Sequence, residues 1–202
     1  PVAALVEAAR SGDLERLNSS PSTIHVSAVD TGGLACSITT SAGYGSGMMI
    51  PGTGLWLNNS LGEVELNPDG LKIVDPGTRL SSNMAPTVAR RADGKVMAIG
   101  SPGADRITTA IFQVLVNYIH FGMPLPDAVA HARAHVEQVD DGFRVAIEPG
   151  LPGERITLPQ RPFDSPSMYF GGAAAATWSP ESGFEVAGDP RRKGGTAIVA
   201  TD

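Results

Sequence analysis

The pattern that most limits how this chain can fold is one sustained helical repeat set between two groups of strand-like segments. Across residues 106–121, Ile107, Ile111, Leu115 and Tyr118 recur at spacings of 4, 4 and 3, and the run stops at Gly122, a residue suited to a helix C-terminus. Ahead of it, Ile24, Val26 and Ala28 alternate with His25, Ser27 and Val29, Thr31-Gly32-Gly33 supplies a turn, and residues 34–40 continue as a partner strand. A second hairpin is expected from residues 88–91 and 96–99, joined by Ala92-Asp93-Gly94-Lys95. Beyond the helix, residues 126–134 predict another, with Pro126 in its first turn, followed by short strands at 145–148, 155–158, 168–170, 184–186 and 196–200. Strands grouped with strands and helices with helices point to a layered α+β fold, not to alternating βαβ units. The 24 Gly and 16 Pro, about a fifth of the chain, fit turn-rich β structure better than a helical bundle.

Residues 2–18 carry Val2, Leu5, Val6 and Ala9 on one helical face, break near Gly12 and resume at Leu14 and Leu17; they predict one helix and a short second one. Ser19-Ser20-Pro21-Ser22 then reads as a linker. Because the chain opens at Pro1, it is expected to be a piece of a longer protein. Glycines 43, 45, 47, 52 and 54 mark residues 41–54 as a long loop of the sort that borders a site.

The charge balance argues against several functions. Fifteen Lys and Arg against 21 Asp and Glu leave a net charge of −6, and no basic run is present, so a nucleic acid partner is not expected. Apolar stretches such as 110–116, interrupted by Gln113, fall short of the roughly 20 residues that span a bilayer, so no membrane span is expected. The single cysteine, Cys36, cannot form an internal disulfide, and no Cys/His group has zinc-ligand spacing. Sharing a strand face with Leu34 and Ile38, Cys36 is expected to be a buried thiol. His120, His131 and His135 lack the neighbours of a metal site, and there is no GxSxG, HExxH or P-loop motif, so neither metal nor cofactor is expected.

One segment invites chemistry. Ser22-Thr23-Ile24-His25 sits where the linker meets the first strand. A threonine hydroxyl needs a base, and cutting the chain just before it frees an α-amino group, of pKa about 7.7–8.0, to serve as that base. Threonine is also favoured at strand starts, so these residues alone leave both readings open.

The wider sequence resembles the small subunit of the γ-glutamyltransferase (γ-glutamyltranspeptidase) family from Thr23 onwards. Thr23-Ile24-His25-Val26-Ser27-Ala28-Val29-Asp30 is similar to the family's opening strand, and Pro51-Gly52-Thr53-Gly54-Leu55-Trp56-Leu57-Asn58-Asn59 to its glycine loop. Arg79-Leu80-Ser81-Ser82-Asn83-Met84-Ala85-Pro86-Thr87 matches its paired-serine motif. Gly100-Ser101-Pro102-Gly103-Ala104 resembles its oxyanion loop, and Gly188-Asp189-Pro190-Arg191-Arg192 its Asp-Pro-Arg element.

The resemblance implies an N-terminal nucleophile (Ntn) hydrolase, an αββα sandwich made as a zymogen that cleaves itself. Residues 1–22 would then end the large subunit and 23–202 form the small, catalytic one. Thr23 would attack the Ser22 carbonyl in autocatalytic cleavage and afterwards a γ-glutamyl donor such as glutathione. Water, an amino acid or a peptide would resolve the ester. Thr23 takes the nucleophile's place, Ser41 that of a supporting hydroxyl, Ser81 and Ser82 the pair that holds the donor's α-carboxylate, and Glu63 the acid facing its α-ammonium. Gly103 and Ala104 supply the oxyanion's two N–H groups. No cofactor is implied; the partner is the large subunit, which brings the arginine for the α-carboxylate, so the isolated chain is expected to be inactive.

Departures surround the α-ammonium site: Gly43 near an expected Asn, a shorter loop over 41–47, Ser60 in place of Gln, and Glu63 in place of Asp. They keep two alternatives in view, a related Ntn amidohydrolase with a different acyl donor, of polyglutamate or acylase type, and a non-catalytic binding or scaffold relative. Three bland readings also stand: His25 as a strand residue, Asp105 as a helix N-cap, and Arg191 and Arg192 beside Asp189 as a surface ion-pair turn.

Overall fold

A computed structural model describes residues 23–43, 45–63 and 77–199; the helices expected at 2–18 lie outside the described residues. The chain divides into two compact units, Pro1–Ile24 with Thr40–Ser82, and His25–Thr39 with Asn83–Asp202. Strands β1 (Thr23–Val29) and β2 (Ala35–Ser41) form the first expected hairpin. Its turn is closed by Asp30, whose carbonyl accepts Gly33 N–H at 3.1 Å and whose carboxylate accepts Leu34 N–H at 2.8 Å.

In the second unit, β3 (Thr87–Arg90), β4 (Val96–Gly100), β8 (Ala174–Ser179) and β9 (Gly183–Gly188) make an antiparallel sheet in the order β3-β4-β8-β9. Strand β4 is buried at all five residues, as a central strand covered on both faces must be. On one face Met97, Ile99, Ala175 and Ala187 pack against Ile107, Ile111 and Val114 of helix α1 (Ile107–Leu115) and Leu125 and Val129 of helix α2 (Leu125–Ala130). On the other face, Ser27 donates to the Ala174 carbonyl at 3.0 Å and Ser37 to the Ile99 carbonyl at 2.9 Å. The His25 ring lies so close to Gly100 that a Cβ there would sit 2.2 Å from its Cε1.

This packing overturns the reading of Cys36. The alternation holds, but the polar residues His25, Ser27, Ser37 and Thr39 turn inward while Val26, Ile38 and Cys36 are exposed. The inward hydroxyls and imidazole satisfy one another and the sheet's carbonyls, so the polar face is the one that can be covered.

Helix α1 runs on through a π-helical turn, Val116–His120, where Phe121 N–H reaches the Val116 carbonyl at 3.1 Å, and the helix ends at Gly122 with φ 66°. The second helix stops at Ala130, four residues before its expected end, because residue 133 is drawn into strand pairing: Glu148 N–H donates to the Arg133 carbonyl at 2.9 Å. Strand β5 (Ala134–Val139) follows and pairs with β6 (Gly142–Ile147), which carries the parallel β7 (Gln160–Pro162). The strands expected at 155–158 and 168–170 are short 3₁₀ turns instead, Gly153–Arg155 and Met168–Phe170, the latter opened by Ser167 Oγ accepting Tyr169 N–H at 3.2 Å. Residues 196–199 form no strand. No helix among the described residues is long and apolar enough to cross a membrane.

The expected surface turn at Asp189 and Arg191 is a buried cluster. Arg133 Nη2 meets Asp189 Oδ2 at 2.7 Å, Arg191 Nη1 meets Asp189 Oδ1 at 3.2 Å, and Arg191 Nε donates to Glu148 at 2.8 Å, all four side chains being almost wholly out of water. Arg192, the second arginine of the element, is half-buried with its side chain against Gly172. Removing one partner of a buried pair strands a charge. Asp189→Asn is therefore expected to lower stability by about 3–5 kcal/mol, read by urea unfolding of the complete protein; a loss under about 1 kcal/mol would refute this account.

Candidate active site

The hairpin places two hydroxyls together at its open end. Thr23 is the first residue of β1 and Ser41 the last of β2, both half-buried, and their side-chain oxygens lie 2.9 Å apart. Gly43 N–H donates to Ser41 Oγ at 3.0 Å, which occupies one lone pair and holds the oxygen beside Thr23. Either oxygen can be the donor of the Thr23–Ser41 bond. Gly43 has φ 58°, and a Cβ at this position would stand 2.2 Å from Glu63 Oε1. The Glu63 carboxylate thus occupies the space a side chain at position 43 would fill, and the contacts run from Thr23 through Ser41 and Gly43 to Glu63.

The glycine-rich segment is more ordered than a plain loop. Met49 and Trp56 form a β-bridge, flanked by Leu57 N–H to the Met48 carbonyl and Ile50 N–H to the Leu55 carbonyl, both at 2.9 Å. Ser60 to Gly62 make a 3₁₀ turn that delivers Glu63. Ser81 and Ser82 are exposed and lie outside any helix or strand at the end of this unit.

The second unit holds residues 100–106. Ser101, Pro102 and Gly103 are buried, whereas Ala104 is exposed. Gly103 adopts φ 142°, and Ala104 is left-handed at φ 51°, a region that costs an L-residue roughly 1–2 kcal/mol. The Ala104 carbonyl accepts Asn83 Nδ2 at 2.8 Å and the Gly103 carbonyl accepts Arg106 N–H at 3.0 Å. The N–H groups of Gly103 and Ala104 donate to no partner among the described residues. They stand at the start of the helical run, where the backbone dipoles favour negative charge. Asp105 is not a helix N-cap: Gly103 caps the 3₁₀ turn Ala104–Arg106 and Arg106 caps α1, while Asp105 pairs with Arg106 and lies 3.8 Å from His135 Nε2.

Arg106 ties this loop to a neighbouring cluster. Its Nε donates to the Tyr169 carbonyl at 3.0 Å, and the guanidinium groups of Arg106 and Arg161 lie 4.4 and 4.5 Å from the Tyr169 ring centre. Glu137 accepts from Arg161, the Tyr169 hydroxyl and Arg144. Burial raises the Glu137 pKa, but these bonds outweigh it and hold the carboxyl at about 2, whereas burial and the bond to Glu137 push Tyr169 up to about 12. His25 bonds Thr39 at 2.7 Å and Ser27 at 2.8 Å, and burial lowers its pKa, so it is a neutral packing residue. Asn83, Ser101 and Arg106 carry no functional signal of their own in the sequence. Their positions beside the paired serines and within the Gly100–Arg106 segment were the available signal.

The described residues form an α+β chain, and the solved structures it matches place it in the Ntn hydrolase class. The family model for gamma-glutamyltranspeptidase matches residues 4–199. The glutathione hydrolase proenzyme of Pseudomonas aeruginosa is 32% identical over 194 residues, covering 88% of this chain and 34% of that protein. The glutathione hydrolase proenzyme of Bacillus subtilis is 32% identical over 137 residues, 67% of this chain and 23% of that protein. In structure, a gamma-glutamyltranspeptidase from Pseudomonas nitroreducens, complexed with L-DON, superposes with a TM-score of 0.68 at 29% identity, covering 87% of this chain and 99% of that one. The chain belongs to the gamma-glutamyltranspeptidase family, and it spans about a third or less of the length of these curated relatives.

Glycine at position 104 would carry no left-handed penalty while keeping the N–H. Ala104→Gly is expected to raise stability by about 1 kcal/mol, read as a higher Tm of the complete protein. Because the Glu137 pKa is depressed from 4.5 to about 2, its contribution is full above pH 4.5 and lost as pH falls toward 2. The Glu137→Gln variant should lack that acid-dependent part, checked by comparing its denaturation midpoints with those of the parent across this window.

Proposed function

We propose that this chain supplies the nucleophile half of a γ-glutamyltransferase or hydrolase, with residues 1–22 ending the large subunit and 23–202 forming the small one after autocatalytic cleavage before Thr23. The observation that carries this reading is the 2.9 Å contact between the Thr23 and Ser41 hydroxyls at the strand start that follows the linker. In maturation, Thr23 Oγ1 attacks the Ser22 carbonyl carbon, the peptide C–N bond breaks to leave an ester, and water releases the Ser22 carboxylate and the Thr23 amine. That amine, with an ordinary pKa of about 7.7–8.0, is part-neutral near pH 7 and takes the hydroxyl proton. Ser41, held by Gly43 N–H, orients the hydroxyl.

Attack on the γ-carbonyl of a donor such as glutathione develops a negative charge on its oxygen, for which Gly103 and Ala104 N–H are the assigned donors. Collapse expels the donor's amine, which leaves with the proton held by Thr23, and a γ-glutamyl ester remains. Water then gives glutamate, while the amine of an amino acid or peptide gives the transfer product. Ser81 and Ser82 are assigned to the donor's α-carboxylate and Glu63 to its α-ammonium. The reach of Glu63 over Gly43 supports the latter, since a glutamate in place of the shorter acid fills the space left by the missing side chain. The partner is the large subunit of the same precursor.

In the complete precursor, Thr23→Ala is expected to abolish both chain cleavage, seen by intact mass, and release of nitroaniline from a γ-glutamyl anilide. Cleavage or turnover at the parent's rate would overturn the proposal.

A further inference from the structure

We propose that Ser101 is a positioning residue, its buried hydroxyl clamping the Gly103–Ala104 backbone to the Gly171–Gly172 segment and so setting where those two N–H groups point. The inference rests on assigning these groups to the reaction's oxyanion. Ser101 is fully buried. Its Oγ donates to the Pro102 carbonyl at 2.7 Å and accepts Gly172 N–H at 3.0 Å. The single hydroxyl proton is thereby committed to one side of the contact and a lone pair to the other, which sets the orientation of both.

The segment that receives this clamp is itself immobilised from behind. The Phe170 carbonyl accepts Arg133 Nη1 at 3.1 Å, and Ala173 N–H donates to Asp189 at 2.9 Å, so residues 170–173 hang on the buried charged cluster. Strand pairing continues the same line, Gly100 opposing Ala174 at the end of β4. Between the two segments there is no room for a side chain. A Cβ at Gly103 would lie 2.7 Å from Gly171 Cα, and one at Gly171 would lie 2.7 Å from Ser101 Oγ and 2.9 Å from the Pro102 carbonyl oxygen. Backbones in direct contact in a close-packed interior transmit displacement, not absorb it.

On its outer side the loop is held by Asn83 at the Ala104 carbonyl and by Arg106 at the Tyr169 carbonyl. Ser101 is the hold on its inner side. Donors to a developing oxyanion act only if they are fixed before the charge appears, and a displacement of about 1 Å can cost about 100-fold in rate. A hydroxyl that served only to fill a buried turn would show its loss in stability and not in the chemistry of correctly folded molecules.

The test uses the complete, processed protein with its large subunit, comparing the parent with Ser101→Ala and Ser101→Cys. The fraction of competent sites is counted by acyl-enzyme mass, and each rate is expressed per competent site. Ser101→Ala is expected to lower kcat on a γ-glutamyl anilide about 10- to 100-fold with KM within about twofold. Affinity for a boronic acid analogue of glutamate, tetrahedral when bound to Thr23, should fall by the same factor, and affinity for glutamate should not change. Ser101→Cys, which keeps a weak donor and acceptor, should lie between the two and carries the test if the alanine variant does not mature. Parent-like kcat per site and boronate affinity in either variant would overturn the proposal, as would a rise in KM at constant kcat. An inactive parent would instead mark failure of the functional reading itself, and the present inference would fall with it.

Discussion

Two arginines and two carboxylates, removed from water together, hold the second unit in register. Isolated, any one of them would be costly to bury; as a set, Arg133, Arg191, Asp189 and Glu148 cancel in charge. Beyond these pairs, they make several hydrogen bonds to backbone, while Arg133 Nε is buried without a partner. Glu148 takes the N–H groups of Arg133 and Ser167, Asp189 those of Ala173 and Arg191, while the guanidinium groups reach the carbonyls of Val129, Phe170 and His131. The end of α2, the approach to β5, the turn before β8 and the turn after β9 therefore share one electrostatic knot. Specificity of arrangement is the gain, since apolar packing alone would not dictate which backbone groups meet.

Glycine contacts convert that rigidity into position. Gly100 admits the His25 ring against β4, and Gly103 and Gly171 admit each other's backbone. At each place a single methyl group would separate surfaces that now touch. The hairpin of β1 and β2 can lie on the sheet through its polar face because its serines, Thr39 and His25 find partners there. Its apolar face, with Val26 and Ile38, stays exposed.

The α+β grouping, both hairpins and the long helix were legible in the sequence because their periodicities are local. Strand β8 was not, since its Ala-Ala-Ala-Thr-Trp-Ser run has little intrinsic β preference and is made a strand by β4 and β9 on either side. The helix expected to reach Ala134 was cut short by long-range pairing between residues 133 and 148. Of the candidate site, the motifs pointed to Thr23, Ser41, Glu63, the paired serines and the Gly103–Ala104 turn. Motifs could not show that Glu63 lies over Gly43, that Ala104 is left-handed, or that Asn83 and Ser101 hold the turn from its two sides.

By itself, then, the sequence determined the family, the order of the elements and the residue types offered for chemistry, because these depend on spacing and on groups close in the chain. Only the tertiary structure decided which strand face is inside, which charges are buried and what each loop leans on. These depend on partners far apart in the chain, 15 positions between Arg133 and Glu148, 71 between Ser101 and Gly172 and 147 between Ser27 and Ala174, and burial changes the value of a hydrogen bond only once such partners have met.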